Sequence, residues 1–407
     1  MKTNLLFRIF ISVLTLYCLC GLIMSACDDD DDDEPVATAT PTATPTMIPD
    51  AIEKTFGGLA SDFAHSVQQT SDGGYILAGS TNSFGAGGSD VYLIKTDNAL
   101  TEEWSMTFGG LLDDGANSVQ QTSDGGYIIG GYSDSFGPGL RDIFMIKTDS
   151  TGTEEWRKIF GDSESNDCGN SVQQTSDGGY IITGYTAAPD NNYDFFLLKT
   201  DGAGNPVWLV NLGGTGNDVG NSVLQTSDGG YICAGSRGSN GNDVFLLKTD
   251  SAGIVEWSNT FGGAYEDFAH SVFQTSNGGY IVAGQIKSDV DGMDNVYLIK
   301  TDDRGNEEWS KTFGGSDRDT GNSVQQTSDG GYVVAGSTRS SGAGEDDVIL
   351  IKTDNTGIEE WSKNFGGTEG DSGHAVLQTS DGSFIIAGVT ESYGAGSHDI
   401  YVIKYGN

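Results

Sequence analysis

Ser66-Val67-Gln68-Gln69-Thr70-Ser71-Asp72-Gly73-Gly74-Tyr75 opens a unit that the 407-residue chain writes seven times. Its Gln-Thr pair recurs at Gln69, Gln121, Gln174, Gln225, Gln274, Gln326 and Gln378, spaced 52, 53, 51, 49, 52 and 52 residues apart. A steady period of this length marks a repeat architecture, and it is read before any motif. Each unit holds four strand-like runs separated by turn chemistry. In the first copy they are Ser66 to Thr70 (A), Tyr75 to Ser80 (B), Val91 to Thr96 (C) and Glu103 to Phe108 (D). Ser71-Asp72-Gly73-Gly74 makes the A–B hairpin, with glycine supplying the positive φ of a tight turn. Runs such as Val91-Tyr92-Leu93-Ile94 are apolar on both faces, which suits a sheet covered on both sides.

The chain ends decide between a ring and an open stack. The last copy stops after run C, at Lys404, while Ile52-Glu53-Lys54-Thr55-Phe56-Gly57-Gly58 is a run D with no A, B or C before it. An open solenoid would instead carry polar caps at both ends. The expected fold is therefore all-β: a seven-bladed β-propeller, four antiparallel strands per blade, closed by an N-terminal strand D that completes the last blade. The unit W-S-x-T-F-G-G, S-V, D-G-G-Y-I-x-x-G, D-V-x-L-I-K-T-D-x-x-G resembles the seven-bladed β-propeller repeat of secreted bacterial and archaeal proteins, over essentially all of residues 51–407. Within it, Asp149, Gly152 and Trp156, and again Asp201, Gly204 and Trp208, resemble the tryptophan-docking motif of quinoprotein propellers. The first resemblance implies a fold and carries no general activity.

Residues 1–26 read as an export signal. Lys2 and Arg8 precede an apolar run from Ile9 to Ile23, too short to span a bilayer comfortably. Met24-Ser25-Ala26-Cys27 resembles the bacterial lipobox, which implies that Cys27 is acylated and tethers the mature chain to a lipid bilayer. The acidic run Asp28 to Glu34 resembles the surface-export signal of Bacteroidetes lipoproteins; in enterobacteria, aspartate in second place resembles an inner-membrane retention signal. The outer surface of the cell envelope is the expected address. Val36 to Pro49 alternates threonine, alanine and proline, so residues 27–50 form a solvated stalk ahead of the propeller at 51–407.

The charge balance limits the partners. Lys and Arg number 20 against 58 Asp and Glu, which excludes nucleic acid or an anionic membrane read by charge. The same acidity would keep the surface soluble in salt or bind divalent cations. The expectation is a monomer. Whatever recurs in every blade belongs to the blade. Trp104, Trp156, Trp208, Trp257, Trp309 and Trp361 share one repeat position, with Ile52 there in the closing blade, and are assigned to packing between blades. No tryptophan and no adjacent cysteine pair is left over for a quinone, and no cofactor is expected beyond calcium. Lys95, Lys147 and Lys352 end run C two residues before an aspartate, which suggests a structural ion pair. An asparagine or histidine (Asn117, Asn170, Asn221, Asn322, His65, His270, His374) follows three residues after an aspartate in every copy, suggesting a bond to loop backbone.

Departures from the repeat are the candidate sites. The B–C loops carry Ser83-Phe84-Gly85, Ser135-Phe136-Gly137 and Ser392-Tyr393-Gly394, with Ser341 in the aromatic place of blade 6. Blades 3, 4 and 5 carry unrelated loops, Thr186 to Tyr193, Arg237 to Asn242 and Ile286 to Asp294. This individual arc is the expected recognition surface, because binding residues concentrate on loops held by a rigid scaffold. Tyr193, Phe84, Phe136 and Tyr393 are candidates for stacking on sugars or docking a protein, with Arg237 beside them. Asp289, Asp291 and Asp294 have the carboxylate density of a calcium loop, though not its order. His65, His374 and His398 would lie beside Asp62 and Asp371 at the seam of blades 7 and 1, the donor types of a transition-metal site. No catalytic signature is present, so the expected function is a non-catalytic module binding glycan or protein, or a scaffold. A carbohydrate hydrolase or lyase is the alternative, since any pair of carboxylates can be found in so acidic a chain.

Overall fold

A computed structural model describes residues 51–187, 192–214, 216–238, 241–288 and 292–406. Cys27, with the rest of the signal, acidic run and stalk, lies outside them, as do Asp289 and Asp291. Seven four-stranded antiparallel sheets follow one another around a ring. Blade 1 is Asp62–Gln69 (A), Tyr75–Thr81 (B), Asp90–Thr96 (C) and Glu102–Phe108 (D), and the other blades repeat it. Strand A starts four residues earlier than the apolar run implied, because a bulge between Ala64 and Ser66 carries the pairing past the polar His65.

Closure follows the reading of the chain ends. Ala51–Phe56 pairs antiparallel with Asp399–Tyr405, from Ala51 opposite Tyr405 to Phe56 opposite Ile400. It stands as the outer strand of the last blade.

The core lies between the blades. Ile76, Ala78, Val91 and Leu93 of blade 1 pack with Ala116, Tyr127, Ile129 and Phe144 of blade 2. Strands B and C are buried along their length, whereas strand D shows polar residues outward. The tryptophans bridge these seams as expected: Trp104 meets Tyr127 edge-on with centroids 5.8 Å apart, and Trp156 meets Tyr180 at 5.7 Å. The glycine of the docking motif lies against the preceding tryptophan. Gly152 has φ +82°, and a Cβ there would come within 2.7 Å of Trp104. At the closing seam, where Ile52 replaces tryptophan, Leu100 takes the glycine's place with φ 61°.

Around the axis, side chains tie the strands A together. Ser71 N donates to Gln121 Oε1 at 2.8 Å, and this bond recurs at every seam up to Ser380 N and Gln69 Oε1 at 2.9 Å. Asn117, Asn170, Asn221 and Asn322 donate to carbonyls of Gly169, Gly220, Ala269 and Gly373. Their targets are strand A of the next blade rather than the expected loop backbone. The lysines also differ from expectation in partner. Lys95 Nζ reaches Asp72 at 2.9 Å and Glu103 at 2.7 Å, in the hairpin and on strand D, while Asp97 turns to its own loop amides.

Deleting Ile52 to Phe56 removes the outer strand and bares one face of the last blade. The melting temperature is expected to fall by more than ~10 °C, since several kcal/mol of burial are lost. An unchanged value would contradict closure.

Candidate functional site

The B–C and D–A loops share one face. In blades 1, 6 and 7 the aspartate that begins strand A ties the loops together. Asp62 accepts Gly58 N at 2.8 Å and Ser83 Oγ at 2.6 Å, and the Thr81 hydroxyl as well. A second aspartate, at the start of strand C, faces it across the first glycine of the Gly-Gly pair. At Gly109, a Cβ would stand 1.8 Å from Asp90 Oδ1 and 2.9 Å from Asp114 Oδ2. Burial, and then the Asp114 charge, pushes the Asp90 carboxyl above its usual range although Ala86 N–H opposes this. Asp347 is raised likewise by burial and by Asp371.

The loops of blades 1 to 3 enclose a hollow of about 550 Å³. Leu111, Leu112 and Leu140 border it, and Leu111 is 82% exposed. Arg141 lines it, its guanidinium 3.9 Å from the Tyr132 ring and its Nε 2.8 Å from Asp134. Tyr185 and Tyr193 also line it and pack together with centroids 4.5 Å apart. Tyr193 is thus the one expected aromatic that this hollow gathers in. The others sit in separate seams. Phe84 packs on Tyr92, Phe136 on Phe144 and Tyr393 on Tyr401, and the Tyr393 hydroxyl donates to Gly366 O at 2.8 Å. Each has committed one face to its own blade. Arg237 covers Phe245 and lies 3.9 Å from Asp218.

The leucines carry no motif of their own, and their grouping depends on the fold bringing the D–A loop of Leu111 and Leu112 beside the B–C loop of Leu140. Leu59, Leu111 and Leu112 stand in D–A loops where other copies have Ser316, Thr368 or Glu369, so the signal was present.

The expected metal ligands are dispersed. His65 and His374 do meet, but as stacked rings 5.2 Å apart and 16° from parallel, which keeps their lone pairs in parallel planes. His374 Nδ1 donates to Ala64 O at 2.8 Å, and burial followed by His374 holds His65 below the usual imidazole range. His398 turns to Glu391 at 3.0 Å, and Asp371 is engaged by Gly367 N and Ser392. Asp294 lies 3.8 Å from Arg318. Among the described residues no group of three or more His, Cys, Asp or Glu is placed to hold a metal ion. Cys168 and Cys233 are buried and free, and burial pushes the Cys168 thiol up to about 11, so it is a poor nucleophile.

Two carboxylate populations are shifted in opposite directions. Asp72 is held down at about 2: burial opposes this, but the Thr70 hydroxyl, Lys95 and Gly74 N–H outweigh it. Asp124, Asp177, Asp228 and Asp329 match it. Such groups stabilise the fold while ionised and lose that contribution as pH falls from about 4 towards 2. The raised Asp90, Asp142 and Asp347 act oppositely, gaining stability as pH falls through their folded values. Urea midpoints from pH 8 down are expected to rise on mild acidification and then collapse below about pH 4. A steady decline from pH 8 would contradict this assignment.

No protein-family model matches the chain, and no curated protein matches it. Solved propellers are similar in fold. The Neurospora crassa Pan2 WD40 domain superposes with TM-score 0.52 at 12% identity, covering 86% of this chain and 90% of that one. BBS1N, solved in complex with ARL6DN, gives 0.51 at 12% identity, covering 88% and 96%. Chaetomium thermophilum Sqt1, bound to the N-terminus of the ribosomal protein L10, gives 0.49 at 11% identity, covering 87% and 98%.

Proposed function

We propose that this chain is a lipid-anchored, non-catalytic propeller of the cell envelope that holds a protein partner on its loop face. The observation that carries the reading is the cluster of exposed Leu111, Leu112 and Leu140 around one hollow, in a chain whose surface is otherwise strongly acidic. Large apolar side chains grouped at the rim of a hollow favour burial against a partner, at about 1.5–3 kcal/mol for each one covered. Arg141 and the tyrosine pair supply residue types that dominate binding energy when buried. BBS1N, a propeller of similar fold, was solved with a protein bound.

The anchor and address rest on the resemblance of Met24-Ser25-Ala26-Cys27 to the lipobox and of Asp28 to Glu34 to a surface-export signal. The stalk would give the propeller a reach of roughly 70 Å from the bilayer at ~3.1 Å per residue. Glycan is the second ligand class for the same face, through Tyr193.

Two substitutions test the reading. Cys27→Ser is expected to move the protein from the membrane to the soluble fraction. Leu111→Asp with Leu140→Asp, on a chain of unchanged melting temperature, is expected to weaken cross-linking to envelope proteins by at least about tenfold. An identical set of cross-linked proteins at equal yield would overturn the docking face.

A further inference from the structure

Blades 2, 3 and 4 share one frame at the outer edge of their loop face. Phe196 of blade 3 stands opposite Gly184, and Phe245 of blade 4 stands opposite Gly235, so the two rings occupy the same register position. The residue opposite the first aspartate of strand A also matches. It is Thr81 in blade 1 and Arg237 in blade 4, and by continuing the Cys168–Tyr185 pairing it is Thr186 in blade 3.

Blade 4 fills this frame with its own cation. The Arg237 guanidinium lies over the Phe245 ring at 5.2 Å and 3.9 Å from Asp218 Oδ1. Blade 2 does the same from strand D, where Arg157 lies over Phe136 at 4.9 Å and Phe144 at 5.8 Å. Blade 3 has neither arginine: Thr186 stands at one place and Leu209 at the other. It also lacks the B–C loop aromatic that covers the corresponding seam in blades 1, 2 and 7.

The result is a hollow of about 300 Å³ between blades 2 and 3. Phe160, Phe196, Leu198 and Leu209 give it apolar walls, and Asp167 and Thr186 border it. None of these residues borders the leucine-rimmed hollow. Asp167 is 1% exposed, with Oδ2 accepting the Ser165 hydroxyl at 2.6 Å. Among the described residues its Oδ1 has no hydrogen-bond partner, as one oxygen of Asp114, Asp218 and Asp371 also has none. In blade 1 the matching aspartate takes the Thr81 hydroxyl in addition to Ser83. A buried carboxylate with an unused oxygen, next to an aromatic wall, is a place for a cation whose stem is apolar.

We propose that the seam between blades 2 and 3 binds an alkyl guanidinium, held over Phe196 and paired with Asp167 as Arg237 is held over Phe245 and paired with Asp218. A planar guanidinium suits the site better than an ammonium, because it stacks on the ring while its N–H groups reach the carboxylate. The cation comes either from a free small molecule or from an arginine side chain of a partner protein.

Calorimetric titration of the full-length protein tests this with n-butylguanidinium, its neutral analogue n-butylurea, and a short blocked peptide holding one arginine. One site is expected for n-butylguanidinium and none for n-butylurea. Asp167→Asn is expected to weaken binding at least about tenfold. Thr186→Arg, which supplies a tethered guanidinium like that of Arg237, is expected to abolish binding and raise the melting temperature. It carries the test if Asp167→Asn fails to fold. Peptide binding at least about tenfold tighter than n-butylguanidinium assigns the cation to a partner's arginine, and equal affinity assigns it to a free small molecule. Absence of binding, equal binding of n-butylurea, or binding unchanged by both substitutions would overturn the site.

Discussion

No blade of this protein can bury its own faces. Each four-stranded sheet is apolar on both sides through strands B and C, and water is excluded only when a neighbour covers each side. Seven such sheets satisfy one another only if the last meets the first, so the pairing of Ala51–Phe56 with Asp399–Tyr405 bears on every seam in the ring. The polar contacts obey the same rule. The Ser-to-Gln and Asn-to-carbonyl bonds run between blades rather than within them.

A scaffold held in this way leaves its loops free to differ. The seam aspartates pin the loop bases at the same points in blades 1, 6 and 7, through Ser83, Ser340 and Ser392. Beyond those points the chain diverges. Leucines gather over blades 1 and 2, an arginine covers its own aromatic ring in blade 4, and blade 3 keeps the frame without the cation.

Much of the fold was legible because periodicity and the split last blade are properties of order along the chain. Trp104 was recognisable as a packing element for the same reason. What the sequence did not disclose depends on which surfaces meet. Lys95 was expected beside Asp97, two residues away on its own strand, yet the hairpin and strand D bring Asp72 and Glu103 nearer. Asn117 was expected to bond a loop, but the curvature of the ring presents Gly169 of the next blade. Of the candidate site only Tyr193 joined the hollow. Phe84 and Tyr393 are exposed as the linear reading has them and Phe136 is half-buried, but each also lies against a strand C ring that only the folded blade supplies.

The central claim is closure, and amide hydrogen exchange reads it at the strand that performs it. If Ala51–Phe56 completes the last blade, peptides covering it will exchange slowly and open together with those covering Asp399–Tyr405. Exchange of 51–56 at the rate of an unpaired chain, with 399–405 still protected, would contradict the ring.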